Sequence, residues 1–315
     1  MSKAANHIDM SVDLGRLKLK NPVMTASGTF GYGFEYAQFF PLEKLGAVVV
    51  KGICLKPCHG NPTPRVAEVH GGMLNAIGLQ GPGVEKFLHG EEYLPFLRKQ
   101  RATVIVNIWG RSIEEYAEVA SKLDAESEGI HALEINISCP NVKEGGIAFG
   151  TDLKLASQVV SEVRRATKLP LITKLSPNVT SVAAFARAVV ESGSDMVSLI
   201  NTITGMAIDI ETRRPKIANT TGGLSGPAIK PVALRMVYEV ARAVNVPVIG
   251  MGGICTGEDA VEFMLAGASG VAVGTAIFSD PLAPLKVLSG LEEYLRRKGY
   301  HSAMDIVGKF ETGKK

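Results

Sequence analysis

The stretch PVIGMGGICTGEDAVEFMLAGASGVAVGT, residues 247–275, decides the fold. It opens on an apolar run, Pro247–Gly253, and closes on another, Gly270–Thr275, with a helical pattern over Gly257–Ala266 between them. Short, β-branched, almost continuously apolar runs suit strands buried on both faces, and strand–helix–strand in so few residues implies parallel strands joined by a right-handed crossover. The alternation recurs toward the N-terminus. Further runs stand at Asn21–Ser27, Ala47–Gly52, Thr103–Trp109, Ala132–Ser138, Pro170–Ser176 and Met196–Thr202. Helical patterns follow four of them, at Ser112–Leu123, Asp152–Thr167, Val182–Ser192 and Lys230–Val244. Ser112 is placed as an N-cap, with Glu115 three residues on as in a capping box. Eight such runs predict an α/β protein whose sheet closes into a (β/α)8 TIM barrel; five or six would leave an open doubly wound sheet.

Two connections, Gly52–Arg101 and Asn201–Gly226, are long enough to carry structure or function of their own. Ile8–Lys20 alternates around a turn at Leu14–Gly15 and reads as a hairpin capping the barrel bottom. With no linker, repeat or low-complexity segment, residues 1–315 read as one domain.

Composition narrows the function. Hydrophobic residues are 46% and charged residues 21%, which argues against disorder. A net charge of +3 without a long basic run makes a nucleic-acid surface a poor expectation. The N-terminal MSKAANHIDMSVDLG has no apolar secretion core, and no run approaches the roughly 18 apolar residues of a membrane span, so a cytoplasmic protein is expected. The four cysteines, Cys54, Cys58, Cys139 and Cys255, are scattered, and neither a disulfide framework nor a bound metal is expected.

A barrel's chemistry stands at the C-terminal ends of its strands. There the runs end in Ser27, Lys51-Gly52, Asn107, Asn136 through Asn141, Lys174, Asn201-Thr202, Gly252-Gly253 and Gly274-Thr275. Core strands gain nothing from so much polarity, so the rim reads as a site. Glycines after the last two runs suit a phosphate approached by backbone N–H groups, although they could merely make tight turns. Lys51 and Lys174 would need an anionic partner, either a ligand or a buried carboxylate. Cys139, between a strand end and Pro140, could be a nucleophile, a general base or an inert apolar residue. The glycines of Gly28–Gly33 lack the spacing of a dinucleotide fingerprint.

Taken together, the strings NPVMTASGTFGYG (21–33), KGICLKPCHGNPTPRVAEVHGGMLNAIGLQGPG (51–83), NISCPNVKEGG (136–146), KLSPNV (174–179), INT (200–202), TGGLSGPAI (221–229), GMGGI (250–254) and VGTAIF (273–278) resemble the dihydroorotate dehydrogenase family. The resemblance implies an FMN barrel that oxidises (S)-dihydroorotate to orotate in pyrimidine synthesis. It implies that Cys139 is the general base, the mark of the soluble class. Lys51 would touch FMN and substrate, and Lys174 the flavin. Ser27, Gly52, Asn107, Asn136, Ile200, Gly226, Gly252, Gly253, Gly274 and Thr275 would hold FMN. Asn75, Ala76, Ile77, Gly78, Leu79, Asn136, Asn141, Asn201 and Thr202 would bind substrate.

Within the family, GGMLNAIGLQ is similar to the NAD-linked branch. That branch pairs its catalytic subunit with a partner carrying FAD and a [2Fe–2S] cluster, as a homodimer core within a heterotetramer. Gly81 stands where that branch usually has Asn. The fumarate-linked homodimeric branch, a related pyrimidine-reducing flavin barrel, a non-redox barrel for a phosphorylated substrate and a non-catalytic binding barrel are the alternative readings.

Overall fold

The computed structural model describes residues 8–138, 149–311 and 313. Each apolar run yields a strand: Val23–Thr25, Val48–Ile53, Val104–Ile108, Ala132–Asn136, Leu171–Lys174, Met196–Leu199, Val248–Met251 and Gly270–Val273. All are parallel, sequence neighbours are sheet neighbours, and the first pairs with the eighth. Between the first and second strands the ring is joined by the Met24–Ala47 bridge and by Gly46 N–H to the Val23 carbonyl at 2.8 Å. The result is a (β/α)8 barrel. Every residue of these strands is buried except Lys51, which is half-buried. That two-sided burial is why the strands read as apolar runs rather than as alternating ones.

The expected helices form at Ile113–Ala125, Leu153–Ala166, Val182–Glu191, Lys230–Ala241 and Gly257–Leu265. Ser112 caps the first by accepting from Glu115 N–H at 3.3 Å, but the Glu115 carboxylate turns to Arg111 N–H at 2.7 Å, so the box is only half made. A complete capping box stands instead at Thr256 and Asp259. Sequence reading passed over Val84–His89 and Leu94–Lys99, which are too short to show a period, and over Ala283–Lys298. The last was legible, since Val287, Leu291 and Leu295 recur every four residues on its buried face.

The N-terminal hairpin forms between Val12–Asp13 and Lys18–Leu19. Arg16 at its turn reaches Asp195 at 3.2 Å and the Lys168 carbonyl at 2.6 Å, just ahead of the sixth and fifth barrel strands. The hairpin therefore covers the N-terminal end, as expected. The two long connections pair with each other. Val66–Val69 and Gly72–Asn75 from one, with Ile203–Met206 and Thr221–Ser225 from the other, make a four-stranded antiparallel sheet. Leu74, Ala76 and Ile217 form a small separate core beneath it.

Candidate active site

A cavity of about 740 Å³ opens between the C-terminal ends of the barrel strands and this added sheet. That volume lies in the range of small-molecule and cofactor sites. Lys51, Asn107, Asn136 and Lys174 line it from four consecutive strands, because each stands at or near the end of its strand.

Among the described residues the two amines have no carboxylate partner. Lys174 is 5% exposed, and among the described residues neither it nor Lys51 has a carboxylate within 4.0 Å. The buried ion pair that could have explained these lysines is therefore not formed among the described residues. Burial, and then the Arg65 guanidinium, push the Lys51 amine below the ordinary lysine range, with Glu35 opposing. A cation held this way gains from an incoming anion.

The amides are fixed in stated directions. The Asn107 Nδ2 donates to Glu134 Oε2 at 2.7 Å, and the Ser198 hydroxyl donates to Glu134 Oε1 at 2.7 Å. The Asn107 Oδ1 is buried and has no partner among the described residues. The Asn136 Oδ1 accepts from Ser138 N–H at 3.2 Å and Asn201 Nδ2 at 3.4 Å, while Tyr116 donates to the Asn136 carbonyl at 2.7 Å. Asn201 in turn accepts from Thr202 N–H at 2.8 Å.

The far end of the cavity is built from backbone. Gly252 and Gly253 have φ of +122° and +79°, a region costly for other residues. Their loop is pinned by Asp259, which accepts from Cys255 N–H at 2.8 Å, Thr256 N–H at 2.9 Å and the Lys230 amine at 2.6 Å. Gly274 differs: its φ is ordinary, and a Cβ there would meet Ala26 Cβ at 3.4 Å, an acceptable contact.

The sequence-predicted residues Ser27, Lys51, Gly52, Asn107, Asn136, Lys174, Ile200, Gly226, Gly252, Gly253, Gly274 and Thr275 all line this cavity. So do Asn75, Ile77, Gly78, Leu79, Asn201 and Thr202. Ala76 does not. Its side chain packs into the small core with Leu74 and Ile217, its N–H goes to the Arg65 carbonyl at 2.8 Å, and its carbonyl goes to Asn61 at 2.9 Å. Cys139 and Asn141 lie outside the described residues; Ser138, just before them, lines the cavity. Gly81 also stays off the cavity. It pairs with Cys58 in both directions at 3.0 Å, and a Cβ there would lie 3.0 Å from the carbonyl oxygen of the cavity-lining Gly52 and 3.4 Å from the buried Tyr32 hydroxyl.

Among the residues that the sequence reading missed, Asn178 on the cavity wall and Glu134 behind it stand out. Asn178 lines the cavity and joins two rim loops, donating to the Thr202 carbonyl at 3.1 Å and accepting from Thr204 N–H at 3.0 Å. Glu134 was hidden by counting its strand as apolar. A lone carboxylate in a run buried on both faces was the available signal, since it demands partners.

Fold and cavity define the class: a (β/α)8-barrel enzyme with a small-molecule-sized cavity at its rim. The chain belongs to the dihydroorotate dehydrogenase family, flavin-using oxidoreductases, whose sequence profile matches residues 10–295. It is 59% identical over 304 residues to a protein of Geotalea uraniireducens, covering 96% of this chain and 99% of that one. It is 59% identical over 303 residues to one of Pelobacter propionicus (96% and 99%), and 57% identical over 302 residues to one of Alkaliphilus metalliredigens (96% and 98%). All three are named dihydroorotate dehydrogenase B (NAD(+)), catalytic subunit. Among the described residues no helix is long and apolar enough to cross a membrane.

Proposed function

We propose that this chain is the catalytic component of an NAD-linked dihydroorotate dehydrogenase, that it holds FMN in the rim cavity, and that it passes electrons to a separate subunit carrying FAD and a [2Fe–2S] cluster. The observation that carries the reading is the pair of cavity amines, Lys51 and Lys174, without carboxylate partners among the described residues. An oxidised carboxylate substrate and an electron-rich flavin edge both suit them.

The residues fit the cofactor. The unpartnered Asn107 Oδ1 offers an acceptor, and the glycines at 252, 253 and 274, with Gly226 and Thr275, offer backbone to a phosphate. Ser27, Gly52, Asn136 and Ile200 complete that wall. When bound, FMN supplies the two-electron acceptor for the hydride that leaves substrate C6. The protein's part is positional and electrostatic. Lys51 and Lys174 stabilise the negative charge that develops on oxidation. Asn75, Ile77, Gly78, Leu79, Asn136, Asn201 and Thr202 orient the dihydropyrimidine, with Asn141 closing the set. Cys139, as thiolate, takes the proton from C5, so that one proton and one hydride leave and the C5–C6 double bond of orotate forms. The chain would act in the cytoplasm as a dimer flanked by two partner subunits, closed symmetry being the common solution for oligomers.

Gly274 gives the cleanest test of the cofactor's place, because its backbone tolerates a side chain while its position faces the phosphate. Gly274→Ala should remain folded, with a native melting temperature, but lose FMN affinity roughly tenfold or more. The check is flavin-to-protein absorbance after gel filtration, with the released flavin identified by mass. A variant that keeps a full complement of FMN places the phosphate elsewhere.

A further inference from the structure

Glu134 is a puzzle in barrel terms. It is 2% exposed, in the middle of the fourth strand, and no cation lies within 4.0 Å of it among the described residues. Burying a carboxylate with only neutral donors costs stability, and an apolar residue of similar size would fill the place more cheaply. Its two partners come from different sides: Asn107 from the adjacent third strand, in register with it, and Ser198 from the sixth strand across the interior.

A carboxylate only accepts hydrogen bonds, so whatever amide faces it must present nitrogen. The nitrogen of Asn107 is used in this way, and its oxygen is left buried without a partner among the described residues, 2.9 Å from where a Cβ on the cavity-lining Gly52 would stand. We propose that Glu134 is a positioning residue that locks the Asn107 amide with its oxygen toward the cavity, so that the bound flavin meets an acceptor there and never a donor. Ser198 braces the lock by holding the second carboxylate oxygen. Remove the carboxylate and the amide is free to turn, which faces a flavin N–H with an NH2 group. The proposal rests on the FMN reading above.

The test uses the chain's single tryptophan. Trp109 stands two residues beyond Asn107 and is 2% exposed, so its emission is expected to be quenched by bound flavin. Flavin-stripped protein is titrated with FMN for the native chain, Glu134→Gln, Asn107→Ala and the double variant. Glu134→Gln should weaken FMN binding roughly 10- to 100-fold in the native background and less than about threefold in the Asn107→Ala background, since the lock has nothing left to hold. Ser198→Ala, a milder change, should weaken FMN several-fold on the same condition, and carries the test if Glu134→Gln does not fold. Equal losses with and without Asn107, or no loss with Asn107 present, would overturn the role of Glu134. Failure of the native chain to bind FMN at all would instead overturn the cofactor reading.

Discussion

Replacing Cys139 by Ala is expected to slow flavin reduction by dihydroorotate roughly 100- to 10,000-fold at neutral pH while FMN stays bound, the usual worth of a positioned base. The expectation joins sequence to geometry. Cys139 is the next residue after Ser138, which lines the cavity, and it leaves the end of the fourth strand, where barrel chemistry is placed. The thiolate is the reactive form, and an ordinary thiol ionises near pH 8.5. Reduction should therefore rise with pH through a thiol-like ionisation. Cys139→Ser should recover some rate only at high pH, because a hydroxyl is much harder to deprotonate. Single-turnover reduction under anaerobic rapid mixing is the measurement. Near-normal reduction by the Ala variant at neutral pH would remove Cys139 from the mechanism.

The isolated chain should reduce an artificial dye with dihydroorotate but give essentially no NAD reduction until its partner subunit is added. Among the described residues all eight parallel strands are committed to the barrel, leaving none for a dinucleotide fold. The closely spaced glycines after the first strand fall in a run of turns, with Gly28, Gly31 and Gly33 all at positive φ, and do not open a helix as a pyrophosphate fingerprint would. On the proposed reading, electrons bound for NAD leave through another protein. Steady-state assays with dye, with NAD, and with NAD plus partner separate the cases. Robust NAD reduction by the chain alone contradicts the partner requirement, and efficient fumarate reduction favours the homodimeric branch.

The strands were legible because two-sided burial writes itself as continuous apolar sequence, and the rim because Lys51, Asn107, Asn136 and Lys174 interrupt that sequence where strands end. The added four-stranded sheet was not. Its halves, around residues 66–75 and 203–225, lie far apart in sequence, and nothing local specifies that Asn75 will pair with Gly223. Ala76 parts from its neighbours for a related reason. Asn75 ends a strand, where successive side chains point to opposite faces, and the chain then turns at Gly78 and Leu79, both at positive φ. Asn75 and Ile77 reach the cavity, while Ala76 goes to the small core. Glu134 was overlooked because composition along a strand hides a single polar residue, although that residue is the one whose burial most needs an explanation.

The central claim is that dihydroorotate delivers its electrons to a flavin held in this barrel. It is tested most directly by anaerobic titration of the purified, yellow chain with dihydroorotate, following the visible flavin band. The band should bleach, with one orotate formed per flavin reduced. A flavin that binds but stays oxidised under excess dihydroorotate would contradict it, as would a flavin bleached only by a reduced nicotinamide and reoxidised by a pyrimidine.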